Sequence, residues 1–105
     1  AVVLSEFGGY NCHIAGHCFN DADYGYRRFS TTEKLSEAFC RLYRREIIPA
    51  KAQGLCAAGY TQLSDVEDEQ NGILTYDRAV CKLPEAEIAA INEILTKSKA
   101  EPAKV

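Results

Sequence analysis

Ala1-Val2-Val3-Leu4-Ser5-Glu6-Phe7, closed by Gly8-Gly9, is an apolar run with two valines and one carboxylate near its end. A strand with one face in water alternates polar and apolar residues. This run does not, so it reads as a strand buried on both faces, the pattern of parallel sheets covered by helices. Residues 54–61, Gly-Leu-Cys-Ala-Ala-Gly-Tyr-Thr, form a second such run. Its small residues require close packing against neighbours.

Between the two runs the pattern is helical. Leu35, Ala38, Phe39, Leu42, Tyr43 and Ile47 make one apolar stripe behind a capping-box pair, Ser30 and Glu33, and Pro49 is expected to end the helix. Glu37, Arg41, Arg44 and Arg45 fall on the opposite, solvated face. A final helix starts with Pro84 at its first position. Glu85 and Glu87 suit its positive end, Ile88, Ile91 and Leu95 its buried face, and Lys97 and Lys99 its C-terminus. Residues 100–105 read as a frayed tail or linker. The order strand, helix, strand, helix predicts an α/β fold with parallel strands and right-handed crossovers. Two strands do not make a free-standing sheet, so others are expected from a longer parent chain or from further copies. A quarter of an eight-stranded α/β barrel and part of a doubly wound sheet both fit.

Composition narrows the function classes. The chain has 105 residues and a formal charge of −3, so it lacks the basic field that nucleic acid or an anionic membrane surface would demand. Neither is expected as a partner. Its apolar stretches are far short of the ~20 residues that span a bilayer. Met and Trp are absent, and the chain opens directly on the strand with no signal before it. It is expected to begin inside something larger. Cys12, Cys18, Cys40, Cys56 and Cys81 are an odd number in a chain of ordinary apolar content, which predicts free thiols and a reducing compartment such as the cytoplasm. Cys40 and Cys56 are expected to serve as small core residues.

In parallel α/β folds reactive groups sit at the C-terminal ends of strands. That selects Glu6 after the first strand and Tyr60, Gln62 and Asp65 at and beyond the second. Glu6 is either a catalytic carboxylate or half of a structural ion pair. The long connection over residues 8–31 carries Tyr10, His13, His17, Phe19, Tyr24, Tyr26 and Phe29, too aromatic for disorder and too long for a plain link. Cys12, His13, His17 and Cys18 have the donor types for zinc, but adjacent pairs wrap one tetrahedral ion poorly. Asp65, Glu67, Asp68 and Glu69 lack the spacing of a calcium loop and read as an acidic turn ahead of Asn71-Gly72. No metal or other cofactor is expected. In Tyr24-Gly25-Tyr26-Arg27-Arg28 an arginine is placed to pair with a carboxylate or a substrate anion.

Two stretches carry a resemblance. Leu4-Ser5-Glu6-Phe7-Gly8-Gly9-Tyr10 and, more specifically, Tyr60-Thr-Gln-Leu-Ser-Asp-Val-Glu-Asp-Glu-Gln-Asn-Gly-Ile-Leu-Thr-Tyr-Asp-Arg78 resemble the end of the catalytic TIM barrel of family 2 glycoside hydrolases, the β-galactosidases, β-glucuronidases and β-mannosidases. The resemblance covers roughly residues 1–97. It implies that residues 1–99 are the C-terminal part of a (β/α)8 catalytic domain, supplying strands seven and eight with their helices, and that 100–105 are a tail.

It further implies that the parent enzyme hydrolyses β-linked glycosides with retention and that Glu6 is its carboxylate nucleophile. Tyr60 matches the family's sugar-stacking aromatic, and His17, Asn11, Gln62 and Asp65 are expected at the carbohydrate pocket. Gly59 departs from the branched apolar residue expected beside Tyr60. The family's acid/base, in an Asn-Glu pair after strand four, has no counterpart, since Asn92-Glu93 falls on the last helix. The isolated chain is therefore expected to be inactive, with the rest of the barrel or other copies as its partner. Two alternatives stand beside this: a non-catalytic βα assembly module that associates through its sheet edges, and a small zinc module.

Overall fold

The computed structural model describes residues 2–19, 27–67 and 69–97. Tyr24, Gly25, Tyr26, Asp68, Lys99 and the tail from residue 100 lie outside the described residues. The strands β1 (Val2–Gly8) and β4 (Leu55–Thr61) pair in parallel, from Val2 opposite Leu55 to Gly8 opposite Thr61. Helix α1 (Thr32–Leu42), a π-helical turn (Tyr43–Ile47) and α2 (Ile48–Ala52) connect them, and α3 (Glu85–Lys97) follows. The chain is thus an α/β protein with parallel strands. The connection after β1 also contains β2 (Tyr10–Cys12) and β3 (Arg27–Phe29), a second short parallel pair that periodicity did not reveal. No helix among the described residues is long and apolar enough to cross a membrane.

Local chemistry moves several boundaries. Thr31, not Ser30, caps α1: its hydroxyl accepts from the Lys34 N–H at 3.2 Å, the reach expected of an N-cap side chain. Pro49 does not end the helical segment. It sits in the first turn of α2, where a missing N–H is tolerated. The preceding turn is widened, the Ile48 N–H reaching back to the Tyr43 carbonyl, so the ring avoids the carbonyl it would strike in a continuous α-helix. Pro84 stands just before α3 rather than inside it, its carbonyl accepting from the N–H groups of Glu87 and Ile88. The Lys51 ammonium donates to the Leu95 carbonyl and ties α2 to the end of α3.

The core lies between the helices and the connections, not on the sheet. Cys12, Leu35, Phe39, Leu83 and Ile91 form its buried centre, with Tyr10, Phe29, Tyr43, Tyr60, Ile88 and Leu95 packed around them. By contrast Val2 and Val3 are 62% and 59% exposed, and Cys56, Ala57 and Ala58 of β4 are exposed as well. The expectation of strands buried on both faces is therefore not met within this chain, because a two-stranded sheet brings no neighbour to cover them. For the same reason Cys56 is on the surface and Cys40 only half-buried, while Cys12 is the fully buried thiol. All five thiols are free.

Gly59 has a steric explanation. A Cβ there would stand 2.7 Å from the Ser5 carbonyl oxygen across the β1–β4 pair. Backbone on that side has no flexible end to move away, so Gly59→Ala is expected to lower stability by about 1–3 kcal/mol through overpacking. The check is the urea midpoint. An unchanged midpoint would show that the strands can separate there without loss.

Candidate functional site

Glu6 lies two residues before the end of β1 and lines a cleft of about 350 Å3 together with Phe7, Gly8, Gly9, Thr61, Glu69 and Asn71. The chain leaves the strand sharply through Gly8 and Gly9, with φ of +94° and +69°, values that favour glycine. Gly8 is needed for a second reason: a Cβ there would come within 2.6 Å of the Tyr60 ring. The Gly9 N–H donates to the Thr61 carbonyl at 3.1 Å, closing the mouth of the two strands.

The far wall is built by the segment after β4. The Gln62 side-chain amide donates to Asn71 Oδ1 at 2.7 Å and to Glu69 Oε2 at 3.2 Å. Its backbone pairs on both sides, with the Asn71 carbonyl and the Ile73 N–H. Val66 and Glu69 exchange N–H donors across a tight turn whose Glu67 has φ +50°. Glu69 is thus held at the rim from two directions. Gly72 makes this possible, because a Cβ on it would lie 2.2 Å from the Asp65 nitrogen.

The residues singled out by sequence separate into two groups. Glu6 and Gln62 meet at the cleft, Gln62 through its partners. Tyr60 underlies it: its ring packs edge-on against Phe7 at 5.5 Å and Phe39 at 5.0 Å, beneath Gly8, and burial pushes its phenol well above the ordinary range. Asp65 turns inward. It is 4% exposed, and its Oδ1 accepts from Lys82 Nζ at 2.7 Å and the Gly72 N–H at 2.9 Å, so it braces the wall rather than facing the opening. Asn11 is the middle residue of β2 and is buried, 1% exposed. Glu69 and Asn71, which sequence reading left as an acidic turn and a turn residue, are the ones that share the cleft with Glu6. The Asn71-Gly72 pair was the available signal, since a glycine obliged to be small marks a close approach.

His17 ties the two connections together. Its Nδ1 lies 2.7 Å from Asp77 Oδ2. Asp77 also accepts from the Thr75 hydroxyl at 2.6 Å and the Ala79 N–H at 3.0 Å; these bonds and then His17 pull its carboxyl from the ordinary 3.8 down to about 2. A depressed carboxylate pKa supports the fold above its unfolded value, and that support is lost as pH falls through the folded one. The tie is therefore expected to persist at pH 4 and to open between pH 4 and 2. Carboxyl NMR titration reads it directly: the Asp77 midpoint should lie near 2 and rise in His17→Gln. A wild-type midpoint near 4 contradicts this.

The Cys12 to Cys18 segment brings only two of its donors together, the Cys18 Sγ lying 3.4 Å from His13 Nδ1. His13 Nδ1 is 3.0 Å from Gln70 Oε1, His17 goes to Asp77, and the Cys18 thiol donates to the Ile14 carbonyl at 3.2 Å. Cys12 is in the core, where burial raises its thiol pKa. Among the described residues no three His, Cys, Asp or Glu side chains come together as metal ligands. Arg27 lies over the rings of Tyr10 and Phe29. Compared with known proteins, the chain matches no family model and no curated protein.

Proposed function

We propose that this chain is the C-terminal part of a retaining β-glycosidase barrel of the family 2 kind, with β1 and β4 as strands seven and eight and Glu6 as the nucleophile. One juxtaposition supports the reading. The Ser5-Glu6-Phe7-Gly8 stretch and the motif that begins at Tyr60 come from opposite ends of a βαβ unit, yet Glu6, Thr61, Glu69 and Asn71 line one cleft where two parallel strands end. That is where such folds do their chemistry.

In a retaining mechanism the Glu6 carboxylate attacks the anomeric carbon while a second carboxyl group gives its proton to the departing glycosidic oxygen. Water, deprotonated by that second group, then displaces Glu6 and releases the sugar with its β configuration. The two carboxyl groups must lie about 5–5.5 Å apart. The acid belongs to the missing part of the barrel. Glu69 and Asn71, braced through Gln62, offer acceptors for sugar hydroxyls.

The test is reassembly. The chain is mixed with a family 2 β-glycosidase truncated before its seventh strand and assayed with an aryl β-glycoside. Neither piece should act alone, and the mixture should release the sugar with retention. Hydrolysis by the isolated 105 residues that disappears in Glu6→Gln contradicts the need for a larger barrel, and failure of the mixture to act removes the reading.

A second reading, a non-catalytic module that assembles through its sheet edges, is favoured by the exposed Val2, Val3 and Leu4 on an open two-stranded sheet. Native mass spectrometry separates them. Defined multiples of the 11.6 kDa chain favour self-assembly, and co-purification with larger pieces of a parent chain favours the glycosidase.

A further inference from the structure

We propose that the cleft between β3 and the end of α1 is a phosphate-binding site built by Arg27, Arg41 and Arg45. The three side chains line one cavity of about 230 Å3 with Tyr10 and Glu46, and it shares no residue with the Glu6 cleft. They arrive from separate elements: Arg27 from β3, Arg41 from the last turn of α1, and Arg45 from the π turn. Their convergence is a product of the tertiary fold.

Arg27 is pre-positioned. Its guanidinium carbon stands 5.8 Å from the Tyr10 ring centroid and 5.7 Å from that of Phe29, and these two rings pack edge-on at 5.2 Å. Stacking on aromatic faces holds the guanidinium plane while its N–H edge stays available for an oxyanion. Arg27, Arg41 and Arg45 have no ion pair among the described residues. Three like charges around one cavity repel one another, and among the described residues that line it the carboxylate of Glu46 leaves an excess of two positive charges.

A phosphate group carries about −1.5 to −2 charges at neutral pH and so offsets that excess, where a carboxylate would offset half of it. Guanidinium forks also match two oxygens of a tetrahedral anion at once. The cavity is smaller than the roughly 300–1,000 Å3 that encloses a whole small-molecule ligand. One phosphate group fits that size, either as the free ion or at the end of a larger molecule.

The 105-residue chain is titrated with inorganic phosphate at constant ionic strength while backbone amide NMR shifts are followed. Saturable shifts are expected at Tyr10, Arg27 and residues 38–46. Arg41→Gln and Arg45→Gln should each weaken binding at least tenfold. Arg44→Gln removes the same charge from a residue outside the cavity and should change it less than twofold. A parallel titration with glycerol 3-phosphate identifies the source: equal affinity assigns the site to the free ion, and binding at least tenfold tighter assigns it to a phosphate monoester. Absence of saturable shifts with both probes, or equal weakening by Arg44→Gln, overturns the proposal.

Discussion

Replacing Glu6 by Gln should lower aryl β-glycoside hydrolysis in the reassembled barrel on the order of 10^4-fold or more, because the covalent step then has no nucleophile. The substitution keeps the size and exposed position of the side chain, so β1–β4 pairing and the affinity for the complementary piece should not change. That separates lost chemistry from lost assembly. A sharper version uses Glu6→Gly with added azide. If Glu6 is the nucleophile, azide occupies the vacated space, attacks the anomeric carbon opposite the leaving group, and yields the α-glycosyl azide. A residue that only bound the sugar would not show this rescue. A β-configured azide would make Glu6 the acid/base and not the nucleophile, and no azide product while Glu6→Gln keeps appreciable activity would remove Glu6 from the mechanism.

Lys82→Met is the second change with a large expected effect, and it acts on the fold. Lys82 is 1% exposed and donates both to Asp65 Oδ1 at 2.7 Å and to the Gln70 carbonyl at 2.9 Å. Removing one partner of a buried ion pair leaves the other charge uncompensated, at about 3–5 kcal/mol. Ordinary domains are stable by only about 5–15 kcal/mol, so most of the folding free energy would be lost. The wall of the Glu6 cleft would go first, because Asp65 and Gln70 flank the turn that carries Glu69.

The cause can be distinguished from lost packing. In the double variant Asp65→Asn with Lys82→Met no charge is buried, and the new amide oxygen still accepts from the Gly72 N–H. Much of the loss should be recovered. A double variant no more stable than Lys82→Met alone would show that the ammonium stem, not the charge pair, carries the effect. Urea midpoints at pH 7 provide the comparison.

Much of the fold was legible because it follows from local patterns. The helical stripe from Leu35 to Ile47 and the Ile88, Ile91, Leu95 face record a period set by backbone geometry, and β1 is marked by its unbroken apolar run with two valines. What was misjudged depended on the next residue or on the next strand. Ser30 and Thr31 are both competent caps, and only the observed start of α1 chooses between them. Pro49 reads as a helix end unless the chain widens ahead of it, which the π turn does. Cys56 reads as a core residue, and would be one if a further strand or helix covered β4.

For the site the division is similar. Glu6 could be placed at a strand end from its sequence, but the residues alone left it either a catalytic carboxylate or half of an ion pair. Glu69 and Asn71 could not, because nothing in an acidic run tells which carboxylate will be turned toward a strand some sixty residues away.

The sequence by itself determined the α/β class, the order of the main elements, the free thiols and the position of Glu6 along its strand. These rest on periodicity, composition and chain direction, which act over a few residues. Only the tertiary structure decided that Asp65 is spent on Lys82, that Tyr60 lies beneath Gly8, and that three arginines from three elements share one cavity. Such contacts join residues far apart in the chain, and they are selected by burial and charge compensation in the folded state, which no local pattern encodes.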